Sequence, residues 1–165
     1  MKESLRKRIL LLVSMSLLAT TPVWSYSNPE LVKADKYIDA GRFKEARDIV
    51  IDLIKSKNPS PEALEIYPMI IFYDNNALMD TRALVCARDA ARMNPQNAHI
   101  MATYALVLCE LKKYEDGIKI VNRALTLDPK DGRAHAIAAY LYKKVEDTHA
   151  ANGQMEEALR LDSKS

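Results

Sequence analysis

The sequence predicts an all-α protein built from repeated helix pairs. Pro61, Pro95 and Pro129 recur at intervals of 34 residues, and each follows a stretch with the apolar spacing of a helix. A period of this length indicates a stack of supersecondary units, here about three to four helix pairs. The chain has only 4 glycines, and no segment alternates apolar and polar residues for long enough to predict a strand.

Residues 1–25 have the layout of a secretory signal peptide. A basic segment, residues 2–8, precedes a mostly apolar run, residues 9–19, which is followed by small residues that suit a cleavage site. The run is shorter than the roughly 20 residues that a membrane-spanning helix needs. We therefore expect cleavage after Ser25, a mature chain without a membrane span, and export to the periplasm or beyond. An uncleaved membrane anchor is the alternative.

Charge and cysteine content narrow the classes of function. The formal net charge is +2, and the basic signal segment accounts for this excess, so the remaining chain is close to neutral. Such a chain lacks the basic surface expected of a nucleic-acid-binding protein. Cys86 and Cys109 lie inside predicted helices, which favours buried thiols. An oxidising compartment also permits a disulfide between them, and this alternative stays open.

The first two units, residues 28–60 and 61–94, are the less regular ones. The first contains a helix pair around Gly41-Arg42, followed by a connection with three additional residues near Asn58–Pro61. The second has Pro68 inside its first helix and Asp74 where later units have a large residue. Because proline removes a backbone N–H and clashes with the preceding turn, we expect a kink at Pro68 or an early end at Asp74.

The last two units, residues 95–128 and 129–165, differ in how clearly they align. The third unit contains two amphipathic helix patterns around Lys112-Lys113. The fourth allows a strict 34-residue copy, or an alignment in which residues 153–159 begin the second helix. We prefer the second alignment, because the seven additional residues are about two helical turns and keep the apolar face in phase. It predicts a long helix before Asn152 and a short final helix.

This pattern resembles the tetratricopeptide repeat family, which pairs two antiparallel helices in 34 residues. In that family an aromatic residue opens the second helix, as Phe43 and Tyr114 would here, and a proline closes the unit, as Pro95 and Pro129 would. The small residues expected at the helix crossings are Ala34, Ala46, Ala83, Ala90, Ala105, Gly117, Ala124 and Ala139. The resemblance covers residues 28–163. It implies an α-solenoid with a right-handed superhelix and a protein-binding role for the domain at residues 26–165.

The resemblance also implies a binding groove lined by the first helices. Phe72, Leu106 and Tyr140 recur at intervals of 34 residues and would form an apolar ladder in it. The neighbouring registers change from acidic or neutral to basic, and they hold Glu65, His99 and Arg133, then Asn76, Glu110 and Lys144. The alternative is that the apolar ladder completes the packing of the helix pairs.

The chain shows no catalytic constellation. Its histidines, His99, His135 and His149, do not form the i, i+4 pair of a helical zinc site, and its glycines are isolated rather than grouped in a phosphate loop. The carboxylates, for example Asp128 and Asp131, read as helix caps or solvated groups. We therefore predict no enzymatic activity, no cofactor and no metal site.

The predicted function is that of an exported scaffold or adaptor. It would bind a peptide segment or helix of an envelope protein, with family analogy pointing to the assembly of a secretion, pilus or cytochrome-maturation system. The alternative is a self-associating structural subunit of an envelope complex, because no polar capping helix follows the last unit.

Overall fold

The structure is a computed structural model that describes residues 28–74 and 79–162. The predicted signal peptide and Asn76 lie outside the described residues. Those residues contain eight helices and no strand, which confirms the predicted all-α fold class. The helices are α1 (Pro29–Asp39), α2 (Phe43–Ile54), α3 (Pro61–Tyr73), α4 (Thr81–Met93), α5 (Ala98–Glu110), α6 (Tyr114–Leu127), α7 (Gly132–Lys144) and α8 (Thr148–Asp162).

The helices belong to two compact units, one ending at Asn94 and one beginning at Pro95. In the first unit, α1 packs on α2, α2 on α3, and α3 on α4. In the second unit, α5 packs on α6, α6 on α7, and α7 on α8, and the two first helices α5 and α7 also contact each other. Each unit is therefore a stack of two helix pairs.

Polar caps and left-handed turns define where the helices begin. The side chains of Ser60, Asp80, Asn97 and Asp131 each accept a hydrogen bond from the backbone N–H three residues later, which satisfies a donor that the first turn leaves unpaired. The turns inside three helix pairs need a residue with positive φ. Gly41 adopts φ 69° at little cost, whereas Lys112 and Glu146 adopt 62° and 64°.

Small residues occupy the helix crossings, as predicted. Ala34, Ala46 and Ala105 are completely buried. At Gly117, a Cβ atom would lie 2.9 Å from Leu141 Cδ2 and 3.3 Å from the Ala105 carbonyl oxygen, closer than neighbouring atoms normally approach. A larger residue at such a crossing would force the helices apart.

The role of the repeated prolines is only partly as expected. Pro61 is the first residue of α3, where a missing N–H costs nothing. Pro95 and Pro129 do not open helices. They lie in turns, because Asn97 and Asp131 cap the following helices two residues further along.

The irregular helix α3 continues through Pro68 and ends at Tyr73, about one turn before the register at which α5 and α7 end. The early end at Asp74 is thus confirmed. Asp74 leaves the helix as its C-cap residue, and its carboxylate lies 3.4 Å from the Arg47 guanidinium on α2. This ion pair joins the two helix pairs of the first unit.

The preferred alignment of the last repeat is wrong. Helix α7 ends at Lys144, and α8 begins at Thr148 and runs through Gly153 to Asp162, as the strict 34-residue copy requires. The turn forms at Glu146, which repeats the left-handed conformation of Lys112, and the Asp147 side chain then accepts the Ala150 N–H. Gly153 is simply an interior helix residue with open space around its Cα.

Candidate protein-binding surfaces

The predicted groove residues divide between the two units. Glu65 and Phe72 lie on α3 in the first unit, and both are buried. The residues of the second unit lie on the adjacent helices α5 and α7, and they are His99, Leu106, Glu110, Arg133, Tyr140 and Lys144. Leu106 and Tyr140 are buried, at 1% and 5% exposure. Whether a partner contacts the apolar ladder stays a prediction.

Three of these side chains meet near the C-terminal ends of α5 and α7. The Tyr140 hydroxyl donates a 2.7 Å hydrogen bond to Glu110 Oε1, and the Lys144 ammonium lies 4.8 Å from the centre of the Tyr140 ring. Glu110 is half-buried and Lys144 is exposed. A carboxylate, an aromatic ring and an ammonium group are thus held side by side, and this combination can bind polar and apolar parts of one peptide.

A second cluster joins α5 and α7 near their N-terminal ends. Arg133 is buried, and its Nη2 donates to Thr103 Oγ1 at 2.7 Å and to the His99 carbonyl oxygen at 3.3 Å. The Asp131 carboxylate lies 3.5 Å from His99 Nδ1 and caps α7. We call the residues of both clusters the α5–α7 face; they are His99, Thr103, Glu110, Asp131, Arg133, Tyr140 and Lys144.

The environment of Asp131 favours its charged form. Burial by itself raises the pKa of this carboxyl group, but the hydrogen bond and charge of His99, the Arg133 guanidinium and the Ala134 N–H lower it further, to about 2. Sequence reasoning identified Asp131 only as a cap or solvated group and did not mention Thr103. Neither residue carries a signal of the contact between α5 and α7 that brings them together.

The two cysteines are free, buried thiols, so the disulfide left open by the sequence is not formed. Burial raises the pKa of Cys86 to about 11 and that of Cys109 to about 12. Within residues 28–74 and 79–162, no cluster of three or more His, Cys, Asp or Glu side chains could hold a metal ion. In the same part of the chain, no helix is both long and apolar enough to cross a membrane.

The sequence gave no indication of an open cleft in the first unit. It has a volume of about 700 Å³ and lies between the end of α2, the loop of residues 55–60, the start of α3 and one side of α4. We call it the α2–α4 cleft. Its lining combines apolar side chains from α2 and α4 with several lysines and arginines.

Comparison with known proteins agrees with the repeat geometry. Residues 81–141, from the start of α4 into α7, match the model of the family described as tetratricopeptide repeat. The chain is a tetratricopeptide repeat protein. No curated protein matches the sequence.

Solved tetratricopeptide structures share the fold at low sequence identity. A crystal structure of MamA has a TM-score of 0.62 and 16% identity, with 93% of this chain and 87% of that chain covered. TTC0263, a thermophilic tetratricopeptide protein of Thermus thermophilus, has a TM-score of 0.72 and 15% identity over 82% of this chain and 74% of its own. YrrB, described as having an unusual peptide-binding site, has a TM-score of 0.62 and 14% identity over 78% of this chain and 64% of its own.

The tetratricopeptide fold indicates a role in protein–protein interaction, and proteins of this family are generally scaffolds without catalytic activity. The repeat supplies a rigid frame, and the side chains on its surface select the partner. In this tetratricopeptide protein the two surfaces with a defined arrangement of side chains are the α5–α7 face and the α2–α4 cleft.

Proposed function

We propose that this tetratricopeptide protein is exported and holds a segment of an envelope protein on its α5–α7 face. The observation that carries the proposal is the arrangement of Glu110, Tyr140 and Lys144, in which the hydrogen bond and the cation–π contact fix three different functional groups at one place. Rigid, preorganised side chains bind at a lower entropic cost than mobile ones. An aromatic residue between two charges is also a frequent centre of binding energy.

Binding and packing roles of this face are separable by paired measurements. We expect Tyr140→Ala to weaken capture of envelope proteins by tenfold or more, because an aromatic anchor contributes about 2 kcal/mol or more. Lys144→Ala removes only an exposed ammonium and should weaken capture while leaving the melting temperature unchanged. If the proposal is wrong, Tyr140→Ala and Leu106→Ala will lower the melting temperature strongly, as core truncations do, and capture will persist.

A matched control is available on the same helix. Tyr142 also donates its hydroxyl hydrogen, to Asn122 Oδ1 at 3.2 Å, and it lies away from Glu110. Tyr140→Phe and Tyr142→Phe therefore remove one comparable hydrogen bond each. Only the Tyr140 variant should affect capture, and equal effects would mean that the hydroxyl acts through general stability.

The export part of the proposal concerns residues 1–25 and is tested independently. Mass spectrometry of the protein isolated from its host should find an N-terminus at Tyr26, within about three residues, in keeping with the layout of a signal peptide. A full-length N-terminus in the membrane fraction would support the anchor alternative.

Self-association is the second candidate function. Leu159 on α8 is 49% exposed and Val145 in the preceding turn is 39% exposed, so the last helix pair presents apolar side chains to solvent. Light scattering coupled to size-exclusion chromatography tests it. An oligomer that forms with increasing concentration and is lost in Leu159→Glu would favour a structural subunit, whereas a monomer at all concentrations would leave the adaptor role.

A further inference from the structure

The α2–α4 cleft presents apolar side chains that a folded chain normally buries. Leu64 and Cys86 form its deep part, with 6% and 4% exposure. Val85 and Met93 on α4 remain 38% and 51% exposed, and Ile51 on α2 faces the same cleft. Large apolar side chains that line a concave surface and remain open to water mark a site that gains free energy from a partner.

The edge of the cleft is strongly basic. Lys55, Lys57, Arg82 and Arg92 line it and are exposed, and the carboxylate among the lining residues is Asp89. Asp89 lies 3.7 Å from the Arg92 guanidinium and partly neutralises it. The cleft therefore keeps an excess of positive charge, although the rest of the chain outside the signal segment is close to neutral.

The shape of the cleft favours a helix over a small molecule. Val85 and Met93 are eight positions apart on α4, which corresponds to about 12 Å, or two helical turns. Apolar anchors at positions i, i+3 or i+4 and i+7 of a partner helix span the same distance. Small-molecule sites enclose most of the ligand surface, whereas the walls of this cleft are open to solvent.

We infer that the α2–α4 cleft docks an acidic amphipathic helix of another protein. The apolar face of that helix would cover Ile51, Val85 and Met93, and its flanking carboxylates would lie against the lysines and arginines at the edge. The inference is independent of the proposed function, because the α5–α7 face belongs to the other unit. It adds a second binding surface to the scaffold.

The direct test is an unbiased selection of helical peptides against the purified full chain. A displayed library of peptides of about 14 residues, roughly four helical turns, supplies acidic, neutral and basic amphipathic sequences equally. The expected result is enrichment of peptides with acidic residues beside an i, i+3 or i+4, i+7 apolar pattern. Their binding should weaken steeply as salt is added, because exposed charges are screened.

Variants then locate the binding site. Val85→Asp places a carboxylate within the apolar wall, and the pair Lys55→Glu with Lys57→Glu reverses charge at the edge; each should weaken the selected peptides at least tenfold. The matched control is Lys119→Glu with Lys130→Glu, which makes the same change of charge at exposed positions of the second unit. Lys119 follows Val85 by one 34-residue period. The control should retain peptide binding.

Several results would overturn the inference. These are enrichment of basic or neutral peptides, an absence of binding peptides, or equal loss of binding in the cleft and control variants. Oleate that binds the cleft and resists displacement by the acidic peptides would identify a lipid site instead. Concentration-dependent self-association that Val85→Asp abolishes would identify a second copy of the chain as the occupant. Each variant is compared with the original chain by circular dichroism, so that loss of folding is recognised.

Discussion

The two units of the molecule share a core and differ in surface. Ala34 in the first unit and Ala105 in the second are both completely buried at a helix crossing. On the outer side, Val85 of the first unit lines an apolar cleft, whereas Lys119, one period later, is an exposed lysine that pairs with Asp116. Geometry dictates small residues at the crossings, but it leaves the outer positions open to variation. Differences in binding between the units must therefore arise at the surface.

The electrostatics of the two units differ as well. Ser60, which caps α3, is neutral, whereas Asp131, which caps α7, is charged and paired with His99. Either side chain satisfies a backbone N–H at the start of its helix. Only the cap in the second unit also joins two neighbouring first helices and responds to pH.

The largest expected effect comes from enlarging the shared crossings. Ala34→Leu and Ala105→Leu should each reduce the free energy of unfolding by about 1–3 kcal/mol, because the added side chain has no room where the helices approach. Denaturant unfolding monitored by circular dichroism measures both. If only one variant loses stability, the two units do not share the same crossing geometry.

The charged cap predicts a difference that appears only in acid. The pKa of Asp131 is lowered from 3.8 to about 2 in the folded chain, so its contribution is complete above about pH 4 and is lost as the pH falls to about 2. The contribution is about 2 kcal/mol. Asp131→Asn keeps a capping side chain and removes the titration. The stability difference between the two proteins should therefore shrink between pH 5 and pH 2, as urea unfolding at each pH will show.

A constant difference across that pH range would contradict the role given to the ion pair. Ser60→Asp is the complementary change, since it places a titrating cap at the start of α3, away from the His99 imidazole on α5. It should retain the capping interaction without the same dependence on pH.

Gly117 tests whether the crossing in the second unit is closer than those in the first. Gly117→Ala introduces the residue that the first unit has at Ala46 and Ala83, where the chain accommodates it fully buried. The new Cβ would meet Leu141 and the Ala105 carbonyl, so we expect a loss of about 1 kcal/mol. Gly153→Ala, where nothing lies within 4 Å, should gain up to about 1 kcal/mol from helix propensity. Equal thermal shifts for both variants would refute the close approach.

The smallest expected effect concerns thiol reactivity rather than stability. The pKa of Cys86 in the first unit is raised to about 11 and that of Cys109 in the second to about 12, so the thiolate fraction at any neutral pH differs about tenfold. Cys86 also lines the open cleft. Mass spectrometry of the alkylated native chain should find Cys86 modified about tenfold faster, and faster modification of Cys109 would contradict the assignment of the cleft.

The fold could be predicted where local rules act alone. The 34-residue period, the small residues at the crossings and the aromatic residues Phe43 and Tyr114 follow from helix geometry and appear in the structure. The last repeat was assigned wrongly because Gly153 resembles a turn residue. The real turn uses Glu146, a residue type that rarely adopts positive φ, and sequence reasoning therefore passed over it.

The candidate surfaces were predictable only where they depend on the repeat register. Glu110, Tyr140 and Lys144 were found because first helices of successive repeats lie side by side. Asp131 was not recognised as a partner of His99, because a cap residue has the same signature whether it is solvated or paired. The α2–α4 cleft depends on how three helices and a loop are placed, and no local pattern encodes that arrangement.

Site-specific photocrosslinking in the host tests most directly whether the α5–α7 face binds a protein. A photoreactive side chain would replace Lys144 on this face or, as the control, Lys119 on the exposed side of α6. We predict a discrete protein adduct from position 144 that disappears when Tyr140→Ala is added, and none from position 119. An absence of adducts at position 144, or the same adducts from both positions, would contradict the account.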